Sequence, residues 1–131
     1  MPASSFIDHN NALVVEPNPL LVRPYEFLAP NYSEHRVISL TEADAFLAAI
    51  VPDLILLSAS FSPLESVEFL RNVQSHSTKK IIPLIIVIDL HNRVNFVPGI
   101  FWDDMLAVLD SSVTEDVFVL TMSRITHWKP F

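Results

Sequence analysis

The chain has 131 residues, half of them hydrophobic and 18% charged, which suits one packed domain and excludes wholesale disorder. The formal net charge is −7, with only eight Lys and Arg spread along the sequence, so no basic nucleic-acid-binding face is expected. One glycine and no cysteine exclude glycine-rich phosphate loops, disulfides, thiolate metal centres and thiol catalysis.

Residues 1–11 are polar and predict a flexible N-terminal arm. They lack the basic start and long apolar run of a secretory signal. The longest apolar run, residues 81–88, contains Pro83 and is too short to span a bilayer. A cytoplasmic protein with no membrane association is therefore expected.

Ala12-Leu-Val-Val15 reads as a buried first strand. Glu16-Pro-Asn-Pro19 follows as a turn, with Asn18 as N-cap and Pro19 as the first residue of a helix carrying Leu20, Leu21, Phe27 and Leu28. Pro24 is expected to bend that helix. Arg36-Val-Ile-Ser39 predicts a short second strand. Thr41-Glu-Ala-Asp44 has the form of a capping box opening a helix with Phe46, Leu47 and Ile50, which Pro52 ends.

Leu54-Ile-Leu-Leu57 is a third strand, apolar on both faces, as in a sheet covered on both sides. Ser62-Pro-Leu-Glu65 combines a serine cap, proline at the first helical position and glutamate two residues on. Val67, Leu70 and Val73 continue at helical spacing. Residues 81–88 make a fourth strand, and a poorly patterned fourth helix is expected within 89–102. Met105-Leu-Ala-Val-Leu109 is a fifth strand, and Ser112-Val-Thr-Glu115 opens a last helix running to about Ile125. Strand–helix units repeated five times force parallel pairing with right-handed crossovers. The fold class is α/β: a doubly wound five-stranded parallel sheet.

Four segments carry a family resemblance. Pro52-Asp-Leu-Ile-Leu-Leu-Ser58, with the Glu68-Phe-Leu-Arg71 helix after it, resembles the central signature of the receiver domains of two-component response regulators. Leu13-Val-Val-Glu-Pro-Asn-Pro19, Ile82-Pro-Leu-Ile-Ile-Val87 and Trp102-Asp-Asp-Met-Leu-Ala-Val108 resemble the ends of that family's first, fourth and fifth strands. The resemblance implies a CheY-like, flavodoxin-like strand order 2-1-3-4-5 for residues 12–126, with residues 127–131 as a tail.

It also implies a degenerate site. Ser58 stands at the phosphoacceptor position, where only a carboxylate forms the labile acyl phosphate. Glu16 and Pro17 stand where two acids hold Mg²⁺. Ile88, with neighbouring Asp89, stands at the switch hydroxyl, and Val108 at the lysine that pairs with phosphoryl oxygens. The expectation is a pseudo-receiver without catalytic residues, metal or cofactor. Glu16 with Asp89 is read as solvated loop acids and Asp103-Asp104 as a structural turn. His9, His35, His76, His91 and His127 show no ligand spacing.

The last helix carries apolar residues over a wide arc: Val113, Val117 and Leu120 on one stripe, Phe118, Met122 and Ile125 on another, with Val119 beyond. Either the breadth fills the core or it covers a second surface. The candidate interface is Phe101, Trp102, Met105, Ala107, Phe118 and Met122, serving a protein partner or a homodimer without direct nucleic-acid contact. No output domain is expected after Phe131, so an effect would pass through another chain. The competing reading is a small-ligand or ion sensor using the vacated pocket.

Overall fold

The computed structural model describes residues 10–29, 31–76, 82–88 and 106–127. Five strands form one sheet: β1 (Asn11–Val15), β2 (Ser33–Val37), β3 (Leu54–Ser58), β4 (Leu84–Ile88) and β5 (Leu106–Asp110). All four pairings are parallel and the order is β2-β1-β3-β4-β5. Among the described residues three α-helices accompany it: α1 (Leu40–Ala49), α2 (Pro63–His76) and α3 (Glu115–His127). This is the doubly wound architecture expected from the alternation of apolar runs and caps.

Strand alternation sorts the core into two layers. Leu13, Val15, Ile55, Leu57, Leu84 and Ile86 meet Leu47 of α1 and Phe69, Leu70 and Val73 of α2. Val14, Leu54, Leu56, Ile85, Val87 and Leu109 turn the other way, against Phe118 and Ile125 of α3. Every residue of β3 is buried, which is why its sequence shows no polar alternation. At the opposite end of the sheet, Asp53 Oδ2 accepts from Asn11 N at 2.8 Å and Asp53 N donates to Asn11 O at 2.8 Å, which ties β1 to the start of β3.

The expected first helix does not form. Residues 18–21 make a turn closed by Leu21 N donating to Asn18 O, and only a 3-10 turn, Tyr25–Leu28, follows. Pro24 lacks an amide donor and disfavours helical geometry at Arg23 before it, so no α-helix can run through. Tyr25 and Leu28 of this turn nevertheless fill the same core layer as α3, and the Phe27 and Phe118 rings meet at 5.8 Å.

Two caps sit elsewhere than the pattern suggested. For α1 the cap is Ser39, whose Oγ accepts from Glu42 N at 3.1 Å, while Glu42 Oε1 accepts from Ile38 N at 3.0 Å. Ser39-Leu-Thr-Glu42 is itself a capping-box string two residues before the one chosen. For α3 the cap is Thr114, accepting from Val117 N at 3.4 Å, and Ser112 Oγ instead donates to Asp110. The box at α2 is as read: Ser62 Oγ accepts from Glu65 N at 3.2 Å and donates to Glu65 Oε1 at 3.1 Å.

β2 begins three residues earlier than expected and ends at Val37, β4 begins at Leu84, and β5 is shifted one residue later. Asn11 belongs to β1 rather than to the arm, and α3 reaches His127. Asn10 of the arm accepts from Ser33 N at 2.8 Å, whereas residues 1–9, the tail after His127 and the helix expected within 89–102 lie outside the described residues.

Ser39→Ala should lower unfolding free energy by about 1 kcal/mol, whereas Thr41→Ala on the exposed face should change it by less than about 0.5 kcal/mol. Leu56→Ala, in the fully buried centre, should cost about 2–5 kcal/mol. Urea unfolding followed by circular dichroism measures all three.

Candidate functional site

Parallel strands place the chain turns that follow their C-terminal ends side by side, and ligands of open α/β sheets sit there. Here a pocket of about 240 Å³ opens at those ends. Its polar lining is Glu16, Asn18, Ser58, Ser60 and Ser111, and its apolar wall is Pro17, Leu21 and Val87. The register explains the convergence: Ser58 pairs with Val87, and Val87 with Leu109, two residues before Ser111.

Glu16 is 3% exposed, so its carboxylate must be satisfied from within the protein. Oε1 accepts from the Tyr25 hydroxyl at 2.6 Å and Oε2 from Asn18 N at 3.1 Å. Tyr25 is buried in turn, and the Arg36 guanidinium stacks over its ring at 4.8 Å. The same guanidinium donates to the carbonyls of Asn18 and Leu21. One arginine on β2 thus fastens the turn after β1, and one tyrosine holds the acid at the end of β1.

Burial, and then the Glu16 carboxylate that accepts its proton, push the Tyr25 hydroxyl well above the ordinary phenol range. Tyr25 therefore remains a donor to Glu16 throughout the neutral range. Tyr32 is also raised, by burial and then by the charge of Asp53.

Ser58 is buried at the end of β3, and its Oγ lies 2.7 Å from Ser60 Oγ and accepts from Ser60 N at 3.2 Å. The hydroxyl closes a local turn. Among the described residues no group of three or more His, Cys, Asp or Glu is placed to hold a metal ion. Glu16 is the one acid in the described lining and both of its oxygens already take protein donors. These residues do not fit Mg²⁺, a hard cation that needs several free oxygen ligands or waters in octahedral geometry.

The structure brings Glu16, Pro17 and Ser58 together at the pocket and places Val108 and Ile88 away from its described lining. Val108 pairs with Ile86 in mid-strand and is 42% exposed, so it does not line the pocket. The residue that reaches the pocket after β5 is Ser111, three positions later, whose amide donates to Ile88 O at 2.8 Å. Ile88 packs against the layer under α1 and α2, on the other side from Val87. Asp89 lies outside the described residues, as do Phe101, Trp102 and Met105 of the candidate interface.

Two further members of that interface are core residues. Phe118 is 1% exposed and Ala107 4% exposed, both packed against β4 and α3 neighbours, so neither can form a contact surface. Met122 is half-buried at the edge of the same layer. The outward face of α3 is made instead by Val117, Val119 and Leu120. Tyr25, Arg36 and Ser60 went unread in the sequence. Ser58-Ala-Ser60 did carry a signal, since a turn after a strand returns alternate side chains to one side. Tyr25 and Arg36 carried none, because their meeting depends on the crossover between β1 and β2.

With its hydroxyl pKa raised by folding, Tyr25 contributes stability that is complete below about pH 10 and is lost as pH rises past it, because the unfolded chain releases that proton first. Tyr25→Phe should cost about 1–3 kcal/mol at pH 7 by leaving Glu16 short of a donor. It should also flatten the alkaline decline, with Tyr32 supplying the remaining slope. Urea titrations at neutral and alkaline pH test both effects.

No protein-family model matches the sequence, and no curated protein matches it either. Solved structures do match in shape. The receiver domain of a sensor histidine kinase from Pseudomonas aeruginosa PAO1, solved with a magnesium ion in its active-site cleft, aligns with TM-score 0.69 and 16% identity, covering 92% of this chain and 99% of its own. A CheY-like receiver domain from Methylobacillus flagellatus gives 0.68 and 14% over 89% and 98%. A response regulator receiver protein from Sinorhizobium medicae WSM419 gives 0.65 and 15% over 92% and 97%. With its strand order and near-complete coverage of these domains, the chain has the receiver fold of CheY-like response regulators.

Proposed function

We propose that this chain is a pseudo-receiver that takes part in signalling by contact with another protein, without aspartyl phosphorylation and without an enzymatic step of its own. The observation that carries the reading is the pocket itself. Ser58 lies where the resemblance puts the acceptor and is engaged with Ser60, and Glu16 is held by Tyr25 and Asn18 N. A phosphoryl group there would meet a buried carboxylate, and no Lys or Arg among the described lining residues would offset its charge.

The surface best suited to a partner is the outer face of α3. Leu120 is 69% exposed, and Val117 and Val119 beside it are half-exposed, an arrangement unusual for a helix whose opposite stripe already fills the core. A second copy of the chain meeting on this face is the simplest partner, since a two-fold interface reuses one patch. The net charge of −7 favours a protein partner over nucleic acid. No helix among the described residues is long and apolar enough to cross a membrane.

Incubation with acetyl phosphate and Mg²⁺ should leave the intact mass unchanged, and beryllofluoride should leave amide spectra unchanged. Any Mg²⁺-dependent adduct would show that the site still works. Light scattering coupled to size exclusion should give a dimer that Leu120→Lys converts to monomer with its circular dichroism unaltered. A wild-type chain that stays monomeric and captures no protein would count against this interface.

A further inference from the structure

We propose that the pocket at the C-terminal ends of β1 and β3 binds a primary ammonium group carried on a short alkyl chain. This goes beyond the partner-binding reading and does not depend on it. The argument starts from Glu16. Glu16 lines the cavity while being 3% exposed, and the two protein hydrogen bonds of its carboxylate use about half of the roughly four acceptor sites that a carboxylate offers. Among the described residues ion pairs join Arg23 to Glu26 and Arg36 to Glu34, and neither includes Glu16.

The other polar neighbours can adapt to such a guest. Ser58 and Ser111 line the same space, and a hydroxyl can turn its oxygen to accept as well as donate. An ammonium group has three donors and no acceptor, so it is complementary to one carboxylate ringed by hydroxyls. It is also the kind of charge that tolerates burial, because a carboxylate accompanies it. A phosphate or carboxylate ligand would face Glu16 with like charge. A divalent cation would find one acid where several oxygens are needed.

The rest of the wall selects the ligand's body. Pro17, Leu21 and Val87 supply apolar surface. An alkyl chain leaving the ammonium would lie along them. The volume of about 240 Å³ is below that of drug-sized sites, which begin at about 300 Å³, so the chain is short. Tyr25 and Arg36 make the site pre-formed: one fixes the carboxylate, the other the turn that carries Asn18 and Leu21.

The probe is n-propylammonium chloride, titrated at pH 7 into the ¹⁵N-labelled full chain, with 1-propanol and propionate as neutral and anionic controls of like size. Saturable shifts are expected at the amides of residues 16, 18, 21, 58, 60 and 111 with the ammonium alone. Glu16→Gln should weaken binding by about tenfold or more, equivalent to about 1.4 kcal/mol. Because that change also touches Tyr25, Ser60→Leu serves as the second variant. It fills the cavity from an exposed position and should abolish the shifts with the fold intact. Nα-acetyl-lysine amide distinguishes sources, since tighter binding than propylammonium assigns the site to a lysine side chain and weaker binding to a free amine. Absence of saturation at high millimolar propylammonium, equal binding of 1-propanol, or shifts that survive Ser60→Leu would overturn the proposal.

Discussion

A carboxylate buried at the end of a central strand cannot be left to water, and the connection from β1 to β2 is organised around that constraint. Glu16 ends β1 inside the protein, and the segment that follows brings an amide and a phenol back to it. The phenol has to arrive from nine residues away, so the chain turns at residues 18–21 and passes through a 3-10 turn at Tyr25. Arg36, on the strand that this connection leads to, then covers the Tyr25 ring and binds the carbonyls of the turn. A helix in this place would bury its own carbonyls in backbone bonds and leave Arg36 nothing to hold.

The loss of that helix has a packing consequence. In a doubly wound sheet each face needs a cover, and here one face is covered by α3 together with the 3-10 turn. Phe118 therefore reaches inward to Phe27 and is spent on the core, while Val117, Val119 and Leu120, on the opposite side of the helix, remain outside. The breadth of apolar residues on α3 thus has both of the causes the sequence left open: Phe118 and Ile125 fill the interior, and Val117, Val119 and Leu120 face out.

The same constraint sets the chemistry of the pocket. A phosphoryl-accepting site needs free acidic oxygens for a metal, an acidic nucleophile and a nearby cation. In this chain the acid at β1 is engaged, the residue at the end of β3 is a serine bonded to a second serine, and β5 is followed by a third. The cavity at the strand ends is small and is lined by Glu16, Asn18 and three serines, beside a turn held by Arg36.

The apolar runs and caps determined the five strands and the class of the fold, because strand burial and helix initiation are local properties of a short stretch of chain. The Ser62–Glu65 box was legible for that reason, and so was the fully buried β3. Ser58 was legible as the end of that strand. Position along the chain alone misplaces the end of β5, since it puts Val108 rather than Ser111 at the pocket. Which residue reaches the pocket depends on register against β4 and on where α3 begins, and these put Ser111 there. Helix propensity likewise failed between residues 19 and 28, where prolines and a distant arginine outweighed the apolar pattern. Only the tertiary structure decided that Glu16 is a buried, tyrosine-held acid rather than a solvated loop residue, because the Tyr25 that holds it comes from the turn beyond Pro24 and the Arg36 that covers Tyr25 comes from β2.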